Sequence, residues 1–143
     1  MTLKEMEKRL MVLEDMEAIR EMHYGYIYAL ASQQWDDMLD CFTEDAVADI
    51  FTWGIRHGKK EIEELFKNHF AGRILPTHGH MTAQPMIKVD GDRAEGHWLL
   101  YLFFADPDMR WVQGRHDVKY VKENGKWKFE YLKFTRPWPI ISK

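Results

Sequence analysis

The sequence predicts an α+β domain in which helices come first and an antiparallel meander follows. Two observations carry that expectation. Apolar residues recur every three or four positions through the N-terminal half, then every second position after Pro76. The period-two segments are separated by strong turn signals: Asp90-Gly91, Asp106-Pro107-Asp108 and Glu123-Asn124-Gly125.

Met6, Leu10, Leu13, Met16, Ile19, His23, Tyr26 and Leu30 trace one face of a long first helix, with Glu5, Lys8, Arg9, Glu14, Asp15, Glu17 and Arg20 filling the rest of its first half. Ser32-Gln33-Gln34 breaks the pattern, and Trp35, Met38, Leu39 and Phe42 predict a short second helix. Residues 46–53 read as a strand, 54–58 as turn, and 59–71 as a helix through Ile62, Leu65, Phe66 and Phe70. Strands are expected at 78–90, 93–105, 109–122 and 126–136. No internal repeat or linker interrupts the chain, so residues 1–143 are expected to form one domain.

The strand at 93–105 carries Gly96, Trp98, Leu100, Leu102 and Phe104 on one face and His97, Leu99, Tyr101 and Phe103 on the other. A sheet with one wet face alternates apolar and polar residues, and this strand is apolar on both. Helices cover one face. A second copy of the chain is the natural cover for the other, so a homo-oligomer, a dimer or a trimer, is expected.

Composition narrows the function classes. The 143 residues are 45% hydrophobic and 30% charged, in the range of a soluble globular protein. Six Trp, six Tyr and eight Phe are a heavy supply of rings for a core, an interface or an apolar pocket. A net charge of −3 gives no basis for a nucleic-acid or anionic-membrane partner. No apolar run reaches membrane-spanning length, and MTLKEMEKRL lacks the apolar core of a secretory signal, so a cytoplasmic protein is expected. The single cysteine, Cys41, supports neither an internal disulfide nor a Cys-rich zinc site.

The order of elements resembles a known family. Trp35-Asp36-Asp37 is followed by Cys41-Phe42-Thr43-Glu44-Asp45-Ala46-Val47, then Gly54 and Gly58, a helix and the meander. Thr77-His78-Gly79-His80-Met81-Thr82-Ala83-Gln84, Asp90-Gly91-Asp92 and the closing Asn124-Gly125-Lys126-Trp127-Lys128-Phe129 add to the match. Together they resemble the SnoaL-like branch of the nuclear-transport-factor-2-like superfamily, nearest to its scytalone-dehydratase-like and bile-acid-dehydratase-like members. The resemblance implies a cone: helices packed across a strongly curved, mostly antiparallel sheet that encloses an apolar pocket. It further implies a small, largely apolar ligand, and a dehydratase or isomerase that works without cofactor. Tyr26 matches the family's helix-one tyrosine, His80 its strand histidine, and Arg136 a C-terminal arginine. Ala31 and Leu102 stand where relatives carry aspartates.

Each candidate has a chemical role and a structural alternative. His80 is a candidate general acid or base, because imidazole titrates near neutrality; the alternative is a histidine bonded within the sheet. Tyr26 is a candidate hydrogen-bond donor to a ligand carbonyl, or a core phenol. Arg136 is a candidate cation for a carboxylate or oxyanion, although strict alternation puts it with Lys128 and Glu130 on the wet face unless a bulge intervenes. Ile50, Trp53, Trp98 and Leu102 are expected to bind the apolar body of the substrate, and Asp49 to face solvent. His78 and His80 share a strand face, but no carboxylate or cysteine beside them completes a metal site, so no metal is expected. His97 and His116 read as sheet-surface or interface residues. A non-catalytic binder with the same pocket remains the alternative to an enzyme.

Overall fold

A computed structural model describes residues 1–75 and 77–136. Helix α1 (Leu3–Ala31) opens on a capping box, in which the Thr2 hydroxyl accepts from the Glu5 amide at 3.1 Å and the Glu5 carboxylate accepts from the Thr2 amide at 2.7 Å. Its apolar stripe does not serve the core along its whole length. Residues 1–14 are all exposed, Leu13 included, and packing starts at half-buried Asp15 and Met16 and fully buried Ile19. Asp15 fixes the helix laterally: its Oδ1 accepts from Lys122 Nζ and from Trp127 Nε1, each at 3.0 Å. Two turns further on, that anchorage aims His23 and Tyr26 at the sheet, where both are buried.

Helix α2 (Trp35–Leu39) ends sooner than its apolar spacing predicts, because Phe42 already belongs to strand β1 (Phe42–Ile50). A single 3₁₀ turn at Phe51–Trp53 leads into β2 (Ile55–His57). Those three residues, expected as turn, pair antiparallel with Val47, Ala48 and Asp49 of β1. Helix α3 (Lys59–Glu64) runs into a π-helical turn at Leu65–Phe70, where the Ala71 amide reaches back to the Phe66 carbonyl at 2.8 Å. The Gln33 side-chain amide donates to the Ile74 carbonyl, tying the segment after this turn to the end of α1.

Strands β3 (Gly79–Asp90), β4 (Arg93–Phe104), β5 (Arg110–Glu123) and β6 (Lys126–Thr135) follow, within one or two residues of expectation. Asn124 and Gly125 both take positive φ, +51° and +77°, as the turn between β5 and β6 requires. The six strands form one curved sheet in the order β2-β1-β6-β5-β4-β3, antiparallel throughout except where β1 lies parallel to β6. The helices cover its concave face, giving the expected α+β cone. Among the described residues, no helix is long and apolar enough to cross a membrane.

Two bulges reset which residues face inward. In β3, Ala83 pairs with Leu99 but Met86 pairs with His97, so one extra residue is inserted beside Gln84, whose φ is +53°. In β6, Phe129 pairs with Tyr120 but Tyr131 pairs with Lys119, leaving Glu130 as the extra residue. Before that bulge Trp127 and Phe129 point into the core; after it the inward side passes to Leu132 and Phe134.

Candidate active site

A cavity of about 530 Å³ lies between α1, the π-helical turn and the concave face of β4–β6. That size is usual for a small-molecule site. Leu30, Ile50, Trp53, Phe66, Leu100 and Leu102 supply much of its apolar wall. Four strand or helix positions, Tyr26, His80, Arg110 and His116, bring titratable groups into the same space.

Tyr26 and His80 both line this cavity. The Tyr26 ring is wedged against Phe42 and Phe129, with centroids 5.7 and 5.1 Å away. Burial pushes the Tyr26 pKa up, so the phenol keeps its proton and remains a donor. Burial, and then the neighbouring His78, lower the His80 pKa to about 4, so its imidazole is neutral at physiological pH. His80 Nδ1 is buried and has no hydrogen-bond partner among the described residues. Leu102, directly opposite His80 in the β3–β4 register, supplies none. Ala31 is half-buried and outside the cavity wall.

The expectation that His116 lies on the sheet surface is overturned. It pairs with Trp98 in the β4–β5 register, on the concave side, and it lines the cavity with only 3% of its surface exposed. Its pKa is lowered to about 4, chiefly by burial. A hydrogen-bonded chain behind it fixes its tautomer. Trp98 Nε1 donates to the Tyr120 hydroxyl at 2.8 Å, because indole is a donor only. Among the described residues His23 Nδ1, 2.9 Å away, is the acceptor at hand for the Tyr120 proton, so the hydroxyl donates to it. Neutral His23 then carries its hydrogen on Nε2 and donates to His116 Nδ1 at 3.1 Å. That leaves His116 with its own hydrogen on Nε2. His23 is fully buried, and burial with the adjacent His116 holds its pKa well below the ordinary imidazole value.

Two glycines make room for this arrangement. A Cβ on Gly96 meets the Tyr120 ring at 2.8 Å and its hydroxyl at 2.9 Å. A Cβ on Gly114 meets Phe134 at 2.5 Å, and Phe134 is itself on the cavity wall.

Of the residues expected from sequence to form the site, Tyr26, His80, Arg136, Ile50, Trp53 and Leu102 share this one cavity. Arg136 joins it because the Glu130 bulge reverses the alternation of β6. Trp98, expected to contact substrate, is not on the wall: its ring stacks on His23 at 4.2 Å and its nitrogen is engaged by Tyr120. It supports the histidine chain from behind. Asp49 is half-buried and off the wall, and His97 sits on the convex face against Asp117 at 2.6 Å. Strand parity was the signal for His116: Gly114, His116, Val118 and Tyr120 alternate on one face of β5, and all are buried. Nothing in the local sequence marks His23 as more than one position of an apolar stripe. Among the described residues, no three His, Cys, Asp or Glu side chains cluster as a metal site.

Comparison with known proteins matches residues 11–133 to the SnoaL-like domain. An NTF2-like protein with a cystatin-like fold from Novosphingobium aromaticivorans superposes with a TM-score of 0.85 at 17% identity, over 95% of this chain and 90% of that one. A scytalone-dehydratase-like protein from Novosphingobium aromaticivorans DSM 12444 gives 0.75 at 19% identity, over 92% and 96%. The hexachlorocyclohexane dehydrochlorinase LinA-type3 from Novosphingobium barchaimii LL02 gives 0.77 at 16% identity, over 88% of each chain. At identities this low the structural likeness is one of fold.

Proposed function

Taking as premise that this chain belongs to the SnoaL-like domain family, we propose that it is a dehydratase or isomerase acting without cofactor on a small, largely apolar hydroxy-carbonyl compound. The observation that carries the reading is a neutral imidazole and an un-ionised phenol facing one apolar cavity, His80 and Tyr26. His80 takes a proton from the carbon beside the substrate carbonyl while the Tyr26 hydroxyl donates to the carbonyl oxygen as it gains enolate character. In elimination, the carbon–carbon double bond forms, the β C–O bond breaks, and the imidazolium returns its proton to the departing hydroxyl, which leaves as water. In isomerisation the same proton returns to a different carbon. His116 presents its Nε2 hydrogen as a second donor in the tautomer imposed by His23. His23 and Tyr120 are positioning residues, since they act through His116.

Two proteins of the same fold support the reaction class: one is scytalone-dehydratase-like and another is a dehydrochlorinase, an enzyme that also eliminates. The test is turnover of a panel of bicyclic β-hydroxyketones, followed as appearance of the conjugated product. His80→Ala is expected to remove turnover while leaving ligand affinity within a few-fold.

A second reading, a non-catalytic binder, is favoured by one observation. Among the described residues no carboxylate orients His80: Leu102 faces it and Ala31 lies off the wall. Losing an orienting partner costs tautomer control. Wild type that binds apolar ketones tightly yet never turns them over decides for the binder.

A further inference from the structure

We propose that the end of this cavity around Phe104 is a carboxylate site, so that the substrate is an apolar molecule carrying a carboxylate some distance from its reacting carbonyl. The inference deepens the reading above and rests on the cavity being a substrate site.

The charge of the wall is opposite to that of the chain. Arg73, Arg110 and Arg136 line the cavity against Asp106, its one acidic residue among the described ones, although the whole chain carries −3. No ion pair with a described residue neutralises any of the three. An arginine beside apolar surface without a carboxylate is poised for an anion from outside.

Phe104 organises the site. The Arg110 guanidinium lies over its ring, 4.5 Å from the centroid, which leaves the N–H edges of the fork available. The His78 ring meets the same phenyl edge-on at 4.8 Å. His78 Nδ1 accepts from the Leu75 amide at 3.4 Å, which leaves a ring hydrogen on Nε2, and that nitrogen has no acceptor among the described residues. Arg136 arrives from the end of β6 through the Glu130 bulge, close enough to Arg110 that the second charge adds to burial in lowering its pKa. Two guanidinium forks and an imidazole N–H thus line the same cavity from three stretches of chain, and donors of this kind suit a planar, bidentate acceptor. A single negative charge is favoured over a doubly charged group, because Asp106 shares the wall.

The spacing to the chemistry follows from the strand. His78, just before β3, and His80, its second residue, are two residues apart, a span of at most about 7 Å. The carboxylate and the carbon that loses a proton are therefore separated by several bonds.

The test compares naphthylacetate with naphthylacetamide, which share one apolar body, by isothermal titration calorimetry on the full-length protein. Wild type is expected to bind the carboxylate about tenfold tighter or more. Arg110→Gln and Arg136→Gln are each expected to reduce that preference severalfold, through a loss of carboxylate affinity larger than any loss of amide affinity, while Arg110→Lys, which keeps the charge without the fork, retains part of it. His80→Ala should keep the full preference even though it removes proton transfer, so the two readings fail separately. Equal affinity of wild type for the two probes, no binding of either at millimolar concentration, or a preference that survives both glutamine substitutions overturns the proposal. The wild-type comparison stands even where a variant fails to fold.

Discussion

His23 Nε2, on the first helix, lies 3.1 Å from Nδ1 of His116 on the fifth strand, and this contact between two buried imidazoles sets which nitrogen of His116 carries its hydrogen at the cavity wall. The pair is stable only with both rings neutral, since a proton added to either one in this setting meets burial and a like-charged neighbour. Tyr120, braced by Trp98, completes the chain from the far side.

Removing the brace exposes its worth. Tyr120→Phe leaves the Trp98 indole N–H and His23 Nδ1 without partners, and an unmade buried hydrogen bond costs about 1–3 kcal/mol. Urea unfolding should show a loss of that size. Under the proposed chemistry, turnover should fall as well, because His116 loses its fixed tautomer; unchanged stability would count against the chain as described.

Acid should destabilise the fold through the same histidines. His80 and His116 have folded pKa values near 4, below the unfolded value of 6.5, so the unfolded chain binds protons first as pH falls. Stability is therefore fully present above about pH 6.5 and declines toward pH 4, by up to about 1.4 kcal/mol per pH unit for each histidine. His23 acts in the same direction. Denaturant midpoints measured between pH 7 and pH 4.5 check this, and a flat profile contradicts it.

Gly96→Ala should be costly for a strand position. The new methyl sits 2.8 Å from the Tyr120 ring, so the ring must move and its hydroxyl with it. Overpacking of this kind costs roughly 1–3 kcal/mol. Gly114→Ala should cost at least as much, since its methyl meets Phe134 at 2.5 Å and the Thr135 carbonyl oxygen at 3.1 Å. Thermal melts of the two variants decide the order.

The convex face of the sheet supports a prediction about assembly. Met81 pairs with Tyr101, and Phe103 with Trp111, across β3, β4 and β5, with Trp111 63% exposed and Phe103 43% exposed. A homo-oligomer should bury this patch, and stable interfaces remove roughly 1,200–2,000 Å² in total. Sedimentation at micromolar concentration should find a dimer or trimer, and Trp111→Glu should shift it to monomer. A wild-type monomer sinks the expectation.

Periodicity and turn chemistry made most of the fold legible. The order of helices and strands, and the ends of β3 to β6, follow from where the period changes and where Gly91 and Asn124-Gly125 permit positive φ. What sequence reading missed depended on long-range pairing. The three residues of β2 become a strand only because β1 offers them an edge. Arg136 looks solvent-facing by alternation, and one inserted residue at Glu130 turns it inward. Tyr26 and His80 were accessible through their family-like positions. His23 was not, because an imidazole on an apolar stripe declares its partner only when Tyr120 and His116 arrive from strands almost a hundred residues away, at separations of 97 and 93.

If His80 moves a proton at carbon within this cavity, hydrogen exchange at a ketone probe reports it whatever the natural substrate is. Wild type and His80→Ala would be incubated with a tetralone in deuterated water, and deuterium entering the carbon beside the carbonyl followed by proton NMR. Wild type should exchange well above buffer, and His80→Ala should lose about 10²–10⁴ in rate with tetralone affinity retained. Exchange at equal rates in the two proteins, or no exchange above buffer by a wild type that binds the ketone, would contradict it.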